Sequence, residues 1–336
     1  MKKTKKWLAP LSIALVATFS LAACASPPPA DTTADFITIY SGRSEELISE
    51  LLDTFTAETG IEVEVRYGES AELAAQILEE GENIRADVYF SQDAGALGAL
   101  AKEGVTKTLP TDITDLVEAS YKSDSSQWVG VSGRARVLVI NPEKVSEVPT
   151  SYRDLMDPIW KGRIGIAPTN ASFQAFITAL RILEGDKAAE DFLAAMKENA
   201  VLFEKNSLIL QAVEDGVIDA GLINHYYWYE LAAEIGAGNM TSEIVWFQDQ
   251  DAGNLINVAG VAVLSENPSA NVFARWLLGE TAQKFFVEKT REYSLTGIPE
   301  LAGLKPFSEI QAPAIDLSDL DSLAATLELI RKAGLL

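Results

Sequence analysis

Tyr226 and Tyr227 stand side by side in the stretch INHYYWYEL, directly after Asn224 and His225, the chain's only histidine. A phenol has a pKa of about 10, so it ionises at neutral pH only against a strong positive partner. A hard trivalent cation is such a partner, because a metal's charge inverts the ordinary acidity of its ligands. Hard metals take oxygen donors and leave thiolates to softer ions. Adjacent side chains on a strand point to opposite faces, so the pair can share one metal only where regular strand geometry ends. The segment YYWYELAAEIGAG reads as a helix ending near Gly236, with Asn224 or His225 near its start. At such a strand-to-helix junction two neighbouring phenols can converge. The residues alone leave two readings open: a metal site, or rings that close an interdomain cleft or hold an apolar ligand.

Other chemistry is scarce. One histidine and one cysteine cannot make a zinc set. A Ser-His-Asp arrangement would have to use His225, and no G-x-S-x-G elbow accompanies it. Neither phosphate-binding glycine motif occurs. The stretch DQDAGN at 249–254 lacks the spaced acids and closing glutamate of a calcium loop and reads as a plain loop. The chain offers no case for an enzyme. A formal charge of −22 argues against nucleic-acid partners and against broad attraction to anionic membranes.

The elements that must position the tyrosines follow an α/β rhythm. FITIYS is a β-rich run, and SEELISELLDTFTAETG carries Leu47, Ile48, Leu51, Leu52 and Phe55 on one helical face. Ser44 is placed to cap that helix, and Gly60 to end it. IEVEVRY alternates as a strand, AELAAQILEEG is helical, and ADVYFS is again a strand. The same βαβ alternation returns in RARVLVI (134–140), GRIGIAP (162–168), two amphipathic helices, and VIDAGLIN (217–224). EIVWF and the long NLINVAGVAVL follow, and the chain from about 317 is helical. At 336 residues the chain exceeds one comfortable core. Two lobes are expected, with crossovers near 133–136 and 254–261: 36–133 plus about 258–290 in one lobe, 137–257 plus about 291–336 in the other.

In open α/β sheets ligands bind outside the carboxyl ends of the strands. Those ends fall at Ser41–Ser44, at Ser91–Asp93, at Thr169–Ser172 and at Asn224–Tyr227, all of them polar. Three precede a helix, whose unpaired N–H groups suit an anion.

The first 23 residues read as an export signal, with a basic MKKTKKW and an apolar stretch to Ala23 of about 17 residues, shorter than a membrane span. Leu21-Ala22-Ala23-Cys24 resembles the lipobox of bacterial lipoproteins, in which Cys24 would be lipidated and become the mature N-terminus. Cleavage removes four lysines and takes the formal charge to −26. The Pro-rich residues 24–35 read as a tether. The protein is thus expected in the cell envelope, lipid-anchored to a membrane and facing the periplasm or exterior.

INHYYWYEL, with KNSLILQAVEDGVIDAGL before it, resembles the paired-tyrosine segment of bacterial ferric-ion-binding proteins, the solute receptors of iron(III) ABC importers. IYSGRSEEL, ADVYFSQDAGAL, WVGVSGRARVLV, WKGRIGIAPTNASF and GVAVL recur in the family's order, so the resemblance covers nearly the whole mature chain. It implies a two-lobed, type II-like periplasmic-binding fold, hinged on two crossover strands and closing on iron. It implies Tyr226 and Tyr227 as the ferric ligands, with Asn206 and Asn224 near a bound anion and Asn170, Ala171 and Ser172 in the anion loop. Some relatives add a third tyrosine in that loop, and others a histidine in the first loop and a glutamate after the third strand. This chain has no tyrosine there, and has Ser44 and Gln92 at the other two places. Two tyrosines cannot fill an octahedral ferric site, so an exogenous carbonate, citrate or phosphate is expected to complete it. Arg43 and Arg134 are placed to neutralise that anion by forked hydrogen bonds. Gln92 either contacts the ligand or caps the following helix, and His225 is expected to be structural. The implied partner is an ABC permease, with Fe(3+) as transported ligand and the receptor a monomer. The alternatives are a same-fold receptor that uses the tyrosines as an aromatic clamp on an organic or anionic solute, and an envelope hydrolase built on His225.

Overall fold

FITIYS forms the first strand, β1 (Phe36–Ser41), with Ile37, Ile39 and Tyr40 buried. In the helix after it, α1 (Glu45–Thr59), Ile48, Leu51, Leu52 and Phe55 are buried, the spacing of one apolar face. Phe55 meets Phe273 and Trp276 edge to face, with ring centroids 4.9 Å and 5.3 Å away. A buried phenylalanine of this kind contributes about 1.5–3 kcal/mol. Gly60 ends the helix at φ 73°, where its N–H reaches Thr56 O. Ser44 occupies the N-cap position but makes no side-chain cap bond, so the expected capping is not made; Glu45 and Glu46 still answer the helix dipole.

The structure is a computed structural model that describes residues 36–336; the expected export signal, Cys24 and the 24–35 tether lie outside the described residues. Beyond α1 come β2 (Glu62–Tyr67), α2 (Ser70–Glu80), β3 (Val88–Ser91), α3 (Ala94–Lys102), the short α4 (Thr111–Thr114) and the twelve-residue β4 (Val129–Ile140). The chain continues through β5 (Ile164–Ile166), α5 (Ala171–Glu184), α6 (Asp186–Asn199), β6 (Ala200–Leu202), α7 (Asn206–Glu214), β7 (Ala220–Asn224) and α8 (His225–Ile235). It closes with β8 (Glu243–Val245), β9 (Ile256–Val263), α9 (Pro268–Leu277), α10 (Glu280–Glu288), β10 (Tyr293–Ser294) and α11 (Leu323–Lys332).

The strands run in the order β2-β1-β3-β9-β4-β7-β5-β6, with β8 and β10 also paired to β4. β1 is parallel to β2 and β3, and β5 is parallel to β6 and β7, so each end of the sheet is wound as a parallel α/β unit. Between them β4 and β9 are antiparallel to their neighbours. β4 changes partner along its length: Val129–Ala135 lie against β9, and Arg136–Ile140 against β7. Every residue of β4 is buried, which fits a strand covered on both faces. The crossover expected at 133–136 is this change of partner. β4 begins five residues earlier than the RARVLVI pattern suggested, because its first part holds Gly130, Ser132 and Gly133, which carry no β-rich signature.

Candidate functional site

The carboxyl ends of both parallel units open on one cleft of about 720 Å³. One wall is Gly42, Arg43 and Ser44 after β1, Tyr67 at the end of β2 with Gly68 and Glu69 after it, and Gln92 after β3. The facing wall is Asn170 after β5, Glu204, Lys205 and Ser207 after β6, and Tyr226 and Tyr227 after β7. The loop after β1 approaches α2 so closely that a Cβ on Gly42 would stand 2.1 Å from Ser70 Oγ, which only glycine avoids. Ser70 Oγ in turn accepts the Gln92 backbone N–H at 3.0 Å, so one serine ties two of the site's loops together.

β7 ends at Asn224 and α8 begins at His225, so the two phenols sit in the first turn of a helix, off strand geometry as expected. Their ring centroids are 4.3 Å apart at an interplanar angle of 32°. Tyr226 is 1% exposed, and its hydroxyl accepts a hydrogen bond from Gln92 Nε2 at 3.3 Å. Burial holds the Tyr226 phenol above its ordinary pKa, Glu292 adds to this, and Arg134 and Arg43 oppose it. Tyr227 is pushed well above, by burial and then by Tyr226 beside it. Both phenols are therefore protonated in the metal-free protein at neutral pH.

One of the expected anion contacts is redirected. Arg43 is wholly buried and turns both prongs onto Glu292, NH1 to Oε1 at 2.9 Å and NH2 to Oε2 at 2.7 Å. Its fork is spent on a carboxylate of the chain, so it does not clamp an anion as expected. Gln92 does not cap a helix either: Asp93 is the N-cap of α3, accepting from Ala96 N at 3.1 Å. Arg134 is different. Its Nε reaches Ser172 Oγ at 3.3 Å, while NH1 and NH2 are buried with no hydrogen-bond partner among the described residues. Burial lowers its pKa, against the pull of Tyr226, Glu292 and Asp93.

The residues expected to form an anion loop lie at the N-terminus of α5. Asn170 is the N-cap of α5 and its Oδ1 accepts from Ser172 N at 3.1 Å. Asn206 Nδ2 donates to the same Oδ1 at 3.2 Å, and Asn224 Nδ2 donates to Ser172 Oγ at 2.9 Å. Ala171, Ser172, Asn206, Asn224 and Arg134 are buried and do not line the cleft itself, whereas Arg43, Ser44, Gln92 and Asn170 do. His225 is structural in its contacts. Its Nδ1 accepts from Ala135 N at 3.2 Å, which leaves the proton on Nε2 to donate to Arg291 O at 2.9 Å. The ring stacks on Tyr293 at 4.7 Å, and burial drives its pKa down to about 4.

Sequence reading missed Glu292, Glu230 and the acidic mouth formed by Glu45, Glu46, Glu69, Glu72 and Glu204 around Lys205. Glu292 faces a partner 249 positions away, and no local pattern marks it. Glu230 was legible in principle, as the residue one helical turn after the paired phenols. Among the described residues no group of three or more His, Cys, Asp or Glu side chains could hold a metal, so any metal here must rely on phenols.

Comparison with known proteins finds close matches over most of the chain. The family described as bacterial extracellular solute-binding protein matches residues 83–312. The chain is 33% identical over 307 residues to the Fe(3+)-binding periplasmic protein of Serratia marcescens, covering 89% of this chain and 90% of that one. It is 34% identical over 328 residues to the major ferric iron-binding protein of Neisseria meningitidis, covering 94% and 98%. Iron-bound HitA from Pseudomonas aeruginosa superposes with a TM-score of 0.85 at 35% identity, over 90% of this chain and 100% of that one. A Trichodesmium protein, IdiA or FutA, in complex with iron and citrate superposes with a TM-score of 0.73 at 28% identity, over 89% and 99%.

Proposed function

The chain belongs to the bacterial extracellular solute-binding proteins, among their ferric-ion-binding members, and we propose that it captures ferric iron between the Tyr226 and Tyr227 phenolates with a synergistic anion. It is a transport receptor of the two-lobed fold and not an enzyme, and its partner is the membrane permease of an ABC importer. The observation that carries the proposal is the meeting of two adjacent phenols, Tyr226 buried and Tyr227 half-buried, with a guanidinium whose two terminal nitrogens lack hydrogen-bond partners among the described residues. Two phenolates leave four positions of an octahedral ferric ion unfilled. An anion bridging the iron and Arg134 NH1 and NH2 would occupy some of them and satisfy those donors.

Carbonate, citrate and phosphate all have the required oxygens, and the relative from Trichodesmium binds iron with citrate. Asn170, Ala171 and Ser172 at the start of α5 offer the anion a helix N-terminus. We assign Ser44, Gln92, Asn206 and Asn224 to orienting the two ligands and the anion, and Arg43 to holding Glu292 beside them. The two lobes, divided along the crossover strands at the boundaries expected from sequence, would close over the iron, and closure would be the state the permease reads. Lipidation at Cys24 would keep a monomeric receptor at the membrane.

The test is a spectrum. Purified protein given ferric iron and bicarbonate should turn orange-red through phenolate-to-iron charge transfer, and Tyr226→Phe/Tyr227→Phe should abolish both colour and binding. The cleft of about 720 Å³ keeps one other reading in play, a receptor for an organic or anionic solute clamped by the aromatic rings. A colourless protein that binds such a solute would decide for it.

A further inference from the structure

α8 carries the paired phenols in its first turn, yet no side chain caps that turn. Asn224 stands at the N-cap position, but it donates to Ser172 Oγ at 2.9 Å and makes no cap bond. An uncapped first turn is free to fray. A binding site tolerates little of that freedom, since its contact groups must be held to within about 0.5 Å.

His225 holds the turn instead. β7 pairs with β4 as far as Asn224 opposite Arg136, so His225 is the residue that would stand opposite Ala135 had the strand continued. Arg136 N points away from β7, to Leu255 O at 3.0 Å, and the N–H of Ala135 therefore points toward it. The chain turns into α8 there, and the imidazole doubles back to accept that N–H through Nδ1 at 3.2 Å. Its Nε2 donates to Arg291 O at 2.9 Å, and its ring stacks on Tyr293 with centroids 4.7 Å apart. Arg291 lies in the left-handed region, at φ 56°, between Thr290 and Glu292, whose side chains are bonded to each other. Glu292 in turn grips Arg43 on the opposite wall of the cleft. The wholly buried imidazole thus fastens the phenol-bearing turn to β4 where that strand changes partner, and to a segment anchored in the facing wall.

We propose that His225 is the positioning residue of the site: its two hydrogen bonds set the turn of α8 so that Tyr226 and Tyr227 reach one ligand together. This rests on the tyrosinate reading for the identity of the ligand, whereas the contacts of His225 are independent of it. Without those bonds the turn is held by packing alone. Tyr226 keeps its bond from Gln92 at 3.3 Å, and Tyr227, the more exposed phenol, is the one that swings out of reach.

The experiment loads wild type, His225→Leu, His225→Gln and Tyr227→Phe with ferric nitrilotriacetate and bicarbonate at neutral pH. It reads the charge-transfer absorbance per bound iron, with Tyr227→Phe giving the signal of one phenolate. His225→Leu keeps an apolar side chain in place of the ring but loses both bonds, and its absorbance per iron should fall to that of Tyr227→Phe. Its ferric affinity, measured by chelator competition, should drop by about 10- to 100-fold. His225→Gln, which retains an acceptor and a donor, should recover both. A residue that only stabilised the fold would lower the urea midpoint of His225→Leu and leave the absorbance per bound iron untouched. That result overturns the proposal, as does a glutamine variant no better than the leucine one. His225→Asn, polar but too short to span both partners, replaces the leucine variant if that one does not fold. A coloured wild type with an unaltered His225→Leu overturns the positioning role alone. A wild type that binds iron without the band overturns the tyrosinate reading as well.

Discussion

Arg43 and Glu292 form a two-pronged ion pair in which neither side chain is exposed. It joins the loop after β1 to the segment just before β10, and Thr290 Oγ1 adds a third bond to the carboxylate at 2.9 Å. Removing one member of such a pair strands the other's charge away from water, which costs about 3–5 kcal/mol. Glu292→Gln is expected to lower the stability of the iron-free protein by that amount in urea unfolding, with the dependence on urea unchanged. Burial alone would push the Glu292 carboxyl up, and the Arg43 charge more than reverses this, so its pKa lies below the ordinary value of 4.5. The pair's stabilisation is therefore complete above about pH 4.5 and is lost as pH falls through the lower, folded value. Acid unfolding of wild type should show this component, and Glu292→Gln should lack it.

Tyr226 and Tyr227 hold their protons in the free protein, because burial raises both. Ferric binding through both phenolates must expel them, so apparent affinity should rise with pH across the neutral range. Measured in unbuffered solution with a pH-stat, Tyr227→Phe should release one proton fewer per iron than wild type. Equal release by the two proteins would show that Tyr227 is not a ligand.

The architecture was readable from the sequence because it rests on local periodicity. The buried face of α1, the alternation of β2 and the junction of β7 with α8 all follow from spacing within a dozen residues. The adjacency of the two tyrosines was legible in the same local way, their role as ligands came only from the resemblance, and the Asn170 cap was not foreseen. What escaped was long-range. Arg43 looked free to clamp an anion because its partner lies 249 positions on, in a stretch with no periodicity to place it. Ser44 and Gln92 each have residue types that cap helices, yet Gln92 bonds across the cleft to Tyr226, and no capping rule foresees that.

His225 is expected to make stability depend on pH independently of iron. Its imidazole is held neutral by burial, with a pKa of about 4 in the folded chain against 6.5 when exposed. The unfolded chain takes up a proton below pH 6.5 that the folded chain refuses until about pH 4. The folded state should thus lose about 3 kcal/mol as pH falls through that window, and nothing above it. His225→Gln, which can still accept from Ala135 N and donate to Arg291 O, should flatten the dependence whatever its stability at pH 7. Urea midpoints of the iron-free proteins at a series of pH values would decide it, and a wild-type curve without a slope between pH 6.5 and 4 would sink the assignment.

Arg134 is where the anion should be felt. Its Nε is engaged by Ser172, and its two terminal nitrogens are buried without hydrogen-bond partners among the described residues. An anion reaching both nitrogens would gain a charge-assisted, two-point contact that a lysine cannot make, since an ammonium is a point charge on a flexible stem. Arg134→Lys keeps the positive charge beside Tyr226, so the phenols should still ionise onto iron and the colour should still form. What should change is the bicarbonate requirement: half-maximal colour is expected at about 10- to 100-fold more bicarbonate than in wild type. Colour that develops at the same bicarbonate concentration in both proteins would place the anion elsewhere, leaving the start of α5, with Asn170 as its cap, to hold the anion alone.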